Sequence, residues 1–274
     1  MSQSSKPFVS VITPSYNRRK FLPMLIYQYQ IQTYPKELRE LVILDDSPTS
    51  NEDLIPKDDK SIRYIYMSEK MPLSNKRNKL NELAKGEVIV CFDDDDFHHP
   101  ERVDHSVKRL NQFRVDIVGS TMVPIYFSDI KRIIEFGPFS PTHGTNGTFA
   151  YTRNYVKNHK HEEGKNAQEE PSFTNNFKEK LAQLDPWKVI LCVSHCYNTF
   201  DKKNMFQNTN KRITNYKLKT FAKDKKVFKF FDDLAEEYTE EQKQESMMKF
   251  EMAEKHQEMV DKMKAEEERK NRKK

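Results

Sequence analysis

Glu87-Val-Ile-Val-Cys-Phe92, followed by Asp93-Asp94-Asp95-Asp96 and then Phe97-His98-His99-Pro100, is the stretch on which the reading of this 274-residue chain turns. Val88 to Phe92 form an uninterrupted apolar run rich in β-branched residues, the pattern of a strand buried on both faces in a parallel sheet. The carboxylates therefore leave the strand at its carboxyl end, the edge at which open α/β sheets bind ligands. Adjacent carboxylates repel one another unless cations or donors neutralise them. A divalent metal is the expected neutraliser: oxygen-only ligation suits Mg²⁺ or Mn²⁺, which commonly bridge carboxylates to substrate phosphates. The competing reading is a solvated acidic loop or a helix N-terminus that favours negative charge.

Upstream, the same pattern repeats. Phe8-Val-Ser-Val-Ile-Thr13 reads as a first strand that breaks at Pro14-Ser15-Tyr16-Asn17-Arg18, Phe21–Thr33 as a helix, and Glu40–Leu44 as a second buried strand delivering Asp45 and Asp46 at its end. Ile62–Tyr66 alternates as a strand does. Ser74 then fits the N-cap of a helix that carries Leu80, Leu83 and Ala84 on one face, places Arg77 and Asn78 in its early turns, and is closed by Gly86. After the acidic run, Pro100 suits the start of a helix with Val103, Val107 and Leu110 as its buried stripe. Strands alternating with helices over residues 8–115 imply a parallel sheet of dinucleotide-binding style.

Beyond residue 115 the pattern changes. Residues 116–127 and 132–136 read as strands of a mixed or antiparallel region, Gly137–Tyr151 as a loop leading into a strand, His159–Glu170 as polar and mobile, Ser172–Leu184 as helical and Trp187–Val193 as a strand. From about Lys217 the chain lacks Gly and Pro altogether and reads as helix, with Arg269–Lys274 fraying. Its methionine-bearing stripe is not a clean heptad pattern, so a solvated or partner-packed helix is expected, and it offers a surface for homo-oligomerisation.

Lys and Arg total 47 against 42 Asp and Glu, a formal charge of +5. So mild an excess gives no reason to expect a specific nucleic-acid partner. The mean hydropathy of −0.90 is low for a globular enzyme and points to a solvated helix outside the core. Three cysteines, Cys91, Cys192 and Cys196, are an odd set, which fits a reducing, cytoplasmic setting. No apolar run reaches the ~18 residues of a membrane span, and the start has no signal-peptide core. Basic residues in Lys202–Lys226 nevertheless suit peripheral contact with an anionic membrane surface.

Three motifs in fixed order carry a family resemblance: Val11-Ile-Thr-Pro-Ser-Tyr-Asn-Arg18, Val42-Ile-Leu-Asp-Asp-Ser47, and Arg77-Asn78 leading to Gly86-Glu87-Val88-Ile89 and the acidic run. Together they resemble the inverting glycosyltransferases of family 2, closely over residues 8–110, more loosely over 111–200 and not in the tail. The resemblance implies an α/β fold: one glycosyltransferase A-type, Rossmann-like catalytic domain over residues 1–215 with a mixed central sheet, divided into a nucleotide-sugar-binding half (8–115) and an acceptor half (116–215). A charged C-terminal helical extension (216–274) follows.

It also implies roles. Pro14, Tyr16 and Asn17 would lie against the nucleotide, Asp46 would accept hydrogen bonds from base or ribose unless it merely caps its turn, and Arg77 would approach the nucleotide or diphosphate. Asp95 would be the direct metal ligand, with Asp93 beside it, the register uncertain by one residue because Asp94 fills the variable position. In Gln168-Glu169-Glu170-Pro171, Glu170 matches the family's general base and Glu169 remains an alternative. His195 resembles a late histidine that some relatives bring to the metal or diphosphate; the other reading is a core histidine. The expected activity is metal-dependent transfer from a nucleotide-diphosphate sugar, a UDP-sugar favoured, to a glycan, lipid-linked or protein hydroxyl. The alternative is a non-catalytic nucleotide-fold protein that acts as a binding module.

Overall fold

The structure, a computed structural model, describes residues 6–271. It comprises two compact units: one runs to Met122 and takes in Pro138–Leu191, the other consists of Val123–Gly137 and the chain from Cys192 on.

The first unit is built on a seven-stranded sheet of β1 (Val9–Ser15), β2 (Arg39–Asp45), β3 (Ile62–Tyr66), β4 (Val88–Cys91), β6 (Ile117–Gly119), β9 (Ala150–Thr152) and β10 (Leu181–Gln183), in the order β10-β6-β9-β4-β1-β2-β3. β4, β1, β2 and β3 are parallel neighbours, whereas β9 runs antiparallel to both β4 and β6, so the sheet is mixed. β5 (Phe97–His98) lies outside this sheet and pairs antiparallel with Leu191 and Ile190. Every residue of β1, β2 and β4 is buried, as their apolar runs require. Ile12, Val42, Leu44, Ile89, Cys91 and Phe149 form the core with Leu80 of helix α2 (Leu73–Leu83). Helices α1 (Leu22–Gln30) and α3 (Arg102–Phe113) join them, the latter burying Val103, Val107 and Leu110.

Several expectations are corrected. β1 does not break at Pro14 but runs on to Ser15, pairing with β2 along its length. Ile12 faces β4, its carbonyl accepting from Phe92 N, and two residues on Pro14 faces the same side, where the β4 ladder has ended. Its missing N–H therefore costs no ladder bond. Ser74 is not the N-cap; Pro72 is, and Ser74 sits within the first turn. Gly86 does not cap α2, which ends at Ala84; a Cβ at position 86 would lie 2.4 Å from Ser10 N, so the glycine serves close backbone approach.

The expected helix at Ser172–Leu184 is mostly absent. Only α5 (Glu170–Phe173) forms, after the short α4 (Tyr155–Asn158), and Asn175, Asn176 and Phe177 in succession adopt positive φ (48°, 55° and 59°) before β10. Left-handed residues end a right-handed helix, and Asn tolerates that region better than most. Trp187 likewise lies in a 3-10 turn before β11 (Ile190–Ser194).

In the second unit, β7 (Val123–Phe127) and β8 (Arg132–Phe136) form a hairpin. β12 (Lys211–Ile213) adds antiparallel to β8, and Cys192–Ser194 of β11 run parallel to β7. Its core gathers Ile125, Phe127, Ile134, Phe136, Phe206 and Phe250. Helices α6 (Leu218–Phe221), α7 (Lys225–Asp233) and α8 (Glu240–Asn271) follow, in line with the helical reading of the tail. Residues 272–274, the end of the segment expected to fray, lie outside the described residues.

Candidate active site at the carboxyl edge of the first sheet

Parallel register brings three strand ends to one edge. Ser15 stands opposite Asp45 and Ile12 opposite Cys91, so the residues after β1, β2 and β4 emerge together. Asn17 turns the chain with φ 55°, a conformation Asn adopts at low cost, and its N–H donates to Ser47 Oγ at 2.8 Å. Tyr16 is half-buried, with the Lys70 ammonium 3.9 Å from its ring centre and that of Lys76 5.9 Å away.

The two aspartates of β2's end divide their work. Asp45 caps the turn: Oδ1 accepts from Ser47 N at 2.9 Å and Oδ2 from Asn51 Nδ2 at 2.7 Å. Burial raises its pKa, but these donors, Ser47 Oγ first among them, outweigh burial and hold it below the usual value. Asp46 is thereby left for something else. Its Oδ2 accepts from Met71 N at 2.7 Å and its Oδ1 from the buried Lys76 ammonium, which also donates to Ser15 O at 2.8 Å. Burial lowers the pKa of Lys76 against the opposing pull of Asp46.

The acidic run is met by cations from two elements. Arg18 lies 3.5 Å from Asp94 Oδ1 and 3.2 Å from Asp95 Oδ2, and Ser15 Oγ donates to Asp94 Oδ2 at 2.7 Å. Burial, and then the charge of Asp95, push the Asp94 carboxyl well above the ordinary carboxylate range despite Arg18. Arg77 reaches the other end: Nη2 donates to Asp93 Oδ1 at 3.1 Å and Nε to Glu169 Oε1 at 3.0 Å. Burial disfavours its charge, yet Asp93 and Glu169 hold the guanidinium protonated even more firmly than usual. Gly147 packs against this group: a Cβ there would lie 2.5 Å from Asp93 Oδ2, so a larger residue would displace that carboxylate.

Glu170, next to Glu169, accepts from Asn146 N at 3.2 Å. Burial, then the Glu169 charge, raise its pKa. Arg77 thus ties the acidic run after β4 to the acidic pair before α5, a connection that spans 76 residues between Asp93 and Glu169. Arg77 Nη1 and both amide atoms of Asn146 are buried there without a hydrogen-bond partner. Each such atom costs about 1–3 kcal/mol.

His195 belongs to the second unit, on the turn after β11. Its Nδ1 accepts from Tyr197 N at 3.2 Å and its Nε2 lies 3.0 Å from Asn198 Nδ2. Among the described residues, no group of three or more His, Cys, Asp and Glu side chains is arranged to hold a metal ion. The donors of the acidic run are nevertheless all oxygen, the ligand type that a hard divalent cation takes. His98, adjacent in sequence, is occupied elsewhere: Nε2 meets Asp93 O at 2.7 Å and Nδ1 meets Arg102 at 2.7 Å.

Arg18, Lys76, Asn78 and Asn146 were not singled out from the sequence for roles of their own. The signal for Arg18 and Lys76 was present, a cation beside each motif. Asn146 offered none, since a polar residue in a Gly- and Pro-rich loop is ordinary.

A mixed sheet that gathers charged loops at one carboxyl edge, with a helical extension, defines a glycosyltransferase A-type fold. Solved structures share it: the Pyrobaculum calidifontis mannosyltransferase PcManGT in complex with GDP-Man and Mn²⁺ superposes with TM-score 0.58 at 14% identity, covering 91% of this chain and 74% of that one. Residues 1–349 of Staphylococcus aureus TarS in complex with UDP-GlcNAc give 0.54 at 17% identity, covering 88% and 71%. Residues 10–132 match the model of glycosyl transferase family 2. TuaG of Bacillus subtilis is 36% identical over 95 residues, 33% of this chain and 37% of that protein. The GalNAc(5)-diNAcBac-PP-undecaprenol beta-1,3-glucosyltransferase of Campylobacter jejuni is 29% identical over 122 residues, 43% and 39% of the two chains. The chain thus spans well under half the length of these curated relatives.

Proposed function

We propose that the protein is an inverting glycosyltransferase that moves a sugar from a nucleotide-diphosphate sugar, a UDP-sugar in the favoured case, to a hydroxyl acceptor. The observation that carries this reading is the bridge made by the buried Arg77, which holds the acidic run and the Glu169–Glu170 pair together at the sheet's carboxyl edge. The family 2 match over residues 10–132 and the relatives named as glycosyltransferases support it. Residues 8–115 would bind the donor and 116–215 the acceptor.

Pro14, Tyr16 and Asn17 would line the nucleotide, with Asp46 and Lys76 offering an acceptor and a donor at its edge. Asp95 and Asp93 would hold Mg²⁺ or Mn²⁺, which when bound stabilises the negative charge developing on the leaving diphosphate. Of the two candidate bases, Glu170 suits the task better. Glu169 is committed to Arg77, whereas the raised pKa of Glu170 makes it the stronger base. As the acceptor oxygen attacks the anomeric carbon, its proton passes to Glu170, the new C–O bond forms, and the nucleoside diphosphate departs from the opposite face with the bonding pair. A single displacement of this kind inverts the anomeric centre.

Among the described residues no helix is long and apolar enough to cross a membrane. A lipid-linked acceptor would be met at a membrane surface, with the basic residues of Lys202–Lys226 as the contact. The test is release of nucleoside diphosphate from a panel of nucleotide sugars with Mn²⁺, Mg²⁺ or chelator, on wild type and Asp95→Ala. Metal-dependent release lost in the variant supports the reading. Absence of both release and nucleotide binding in folded protein removes it and favours the binding-module alternative.

A further inference from the structure

The segment expected to be mobile, His159–Glu170, is fastened to the amino-terminal turns of α2. That helix has no side-chain cap of its own. Its first N–H groups are instead satisfied by the segment: Leu73 N donates to Asn166 Oδ1 at 3.2 Å and Ser74 N to Lys165 O at 2.9 Å. Helix side chains return the bonds. Ser74 Oγ accepts from Lys165 N at 3.0 Å, and Asn75 Oδ1 accepts from Gly164 N at 2.7 Å. Asn78 clamps one residue at both backbone atoms, its Nδ2 donating to His161 O at 2.8 Å and its Oδ1 accepting from His161 N at 2.9 Å. His161 in turn is buried, stacks on Phe173 with ring centres 4.2 Å apart, and sets its Nδ1 3.3 Å from Glu169 O.

The bonding order therefore runs from Asn78 to His161 to the backbone of Glu169, while Arg77, the neighbouring residue on the same helix, holds the Glu169 side chain. Gln168, at φ 57°, makes the turn that delivers Glu169 and Glu170, and such a conformation persists where its surroundings fix it. We propose that Asn78 is a positioning residue for the acceptor-side carboxylates: by clamping His161 it fixes the strap that seats Glu169 and Glu170 against Arg77. The inference rests on the transferase reading above. Lys76 and Arg77, which face the nucleotide side, share α2 with Ser74, Asn75 and Asn78, which fasten the strap. One rigid helix thus holds both halves of the reaction in register.

Full-length Asn78→Ala, Asn78→Asp and Asn75→Ala are compared with wild type in amide hydrogen exchange, nucleoside diphosphate binding by calorimetry, and steady-state transfer. Asn78→Ala is expected to raise exchange at His161, Gly164 and Lys165 and to lower kcat about 10- to 100-fold, since a displacement near 1 Å costs on that order. Nucleotide affinity and the KM for the donor should stay within twofold. Asn78→Asp keeps the acceptor for His161 N and should recover part of kcat. Asn75→Ala, which removes the acceptor of Gly164 N and of Ser74 Oγ but leaves the His161 clamp intact, should give a smaller loss and guards against the first variant failing to fold. Wild-type turnover with kcat unchanged in Asn78→Ala overturns this inference and leaves the transferase reading standing, as does equal loss of nucleotide affinity and kcat. Wild-type protein that binds nucleotide but transfers nothing overturns both.

Discussion

Two charge-rich helices of this protein, α2 and α8, put their polar residues to opposite uses. α2 buries Ser74, Lys76, Arg77 and Asn81, four polar side chains in eleven residues. α8, of 32 residues, buries Ser246, Phe250 and Ala253 near its start, and leaves Met248, Met252, Met259 and Met263 between 59% and 71% exposed. A buried charge costs several kcal/mol unless paired and hydrogen-bonded, so α2 exists in this form because partners on β1, the acidic run and the strap meet it. α8 meets no such demand. Charged residues inside a helix are informative only where tertiary structure supplies their counterparts.

The sharpest way to break that contrast is at Arg77. Arg77→Met leaves the buried Glu169 and the half-buried Asp93 without their shared cation and should cost about 3 kcal/mol in urea-monitored unfolding, with transfer falling below detection. A loss under 1 kcal/mol would place α2 with α8 as a surface helix. Glu170→Gln should lower kcat about 10²–10⁴-fold with nucleotide affinity unchanged, the range for losing a general base. In wild type, the acidic limb of the kcat profile should lie above the ordinary glutamate pKa of about 4.3, because the base works only when deprotonated and burial raises its pKa. A limb at or below that value would return the role to Glu169.

On α8 the anchoring is local. Phe250→Ala, at a ring that meets Phe206 edge-on at 6.3 Å, should cost about 3 kcal/mol by calorimetry. The pH dependence of folding offers a finer test of the strap. Burial, then Arg77, hold His161 down to about 3, against about 6.5 when unfolded. Between those values the unfolded chain binds the extra proton, so stability should be full above about 6.5 and fall as pH drops toward 3. His161→Phe should flatten that slope; an unchanged slope would assign it to other groups. The smallest effect belongs to the exposed stripe: Met252→Ser with Met259→Ser should move stability by no more than about 0.5 kcal/mol.

Strands were the legible part of this chain. Val88–Cys91, Arg39–Asp45 and Ile62–Tyr66 formed where apolar runs and alternation indicated: the first two are buried along their whole length and centre on apolar runs, whereas the alternating third is half-buried. Local punctuation was less reliable. Gly86 resembled a helix cap but answers to Ser10 across the sheet, and Ser172–Leu184 carried helical composition that three left-handed residues interrupt. In the site, Asp93 and Glu169 were each legible as acidic motif residues, but nothing in their separate neighbourhoods announced the arginine between them.

The sequence by itself determined the parallel strands, their carboxyl-edge acidic loops and the family resemblance of residues 8–110, since each depends on residues near one another along the chain. Only the tertiary structure decided that Glu169, and not its neighbour Glu170, is committed to Arg77. It also decided that Asp45 rather than Asp46 caps its turn, and that a polar stretch expected to move is held by Asn78. The reason is physical: a carboxylate's pKa and reach are set by burial and by cations tens of residues away, quantities that no local pattern encodes.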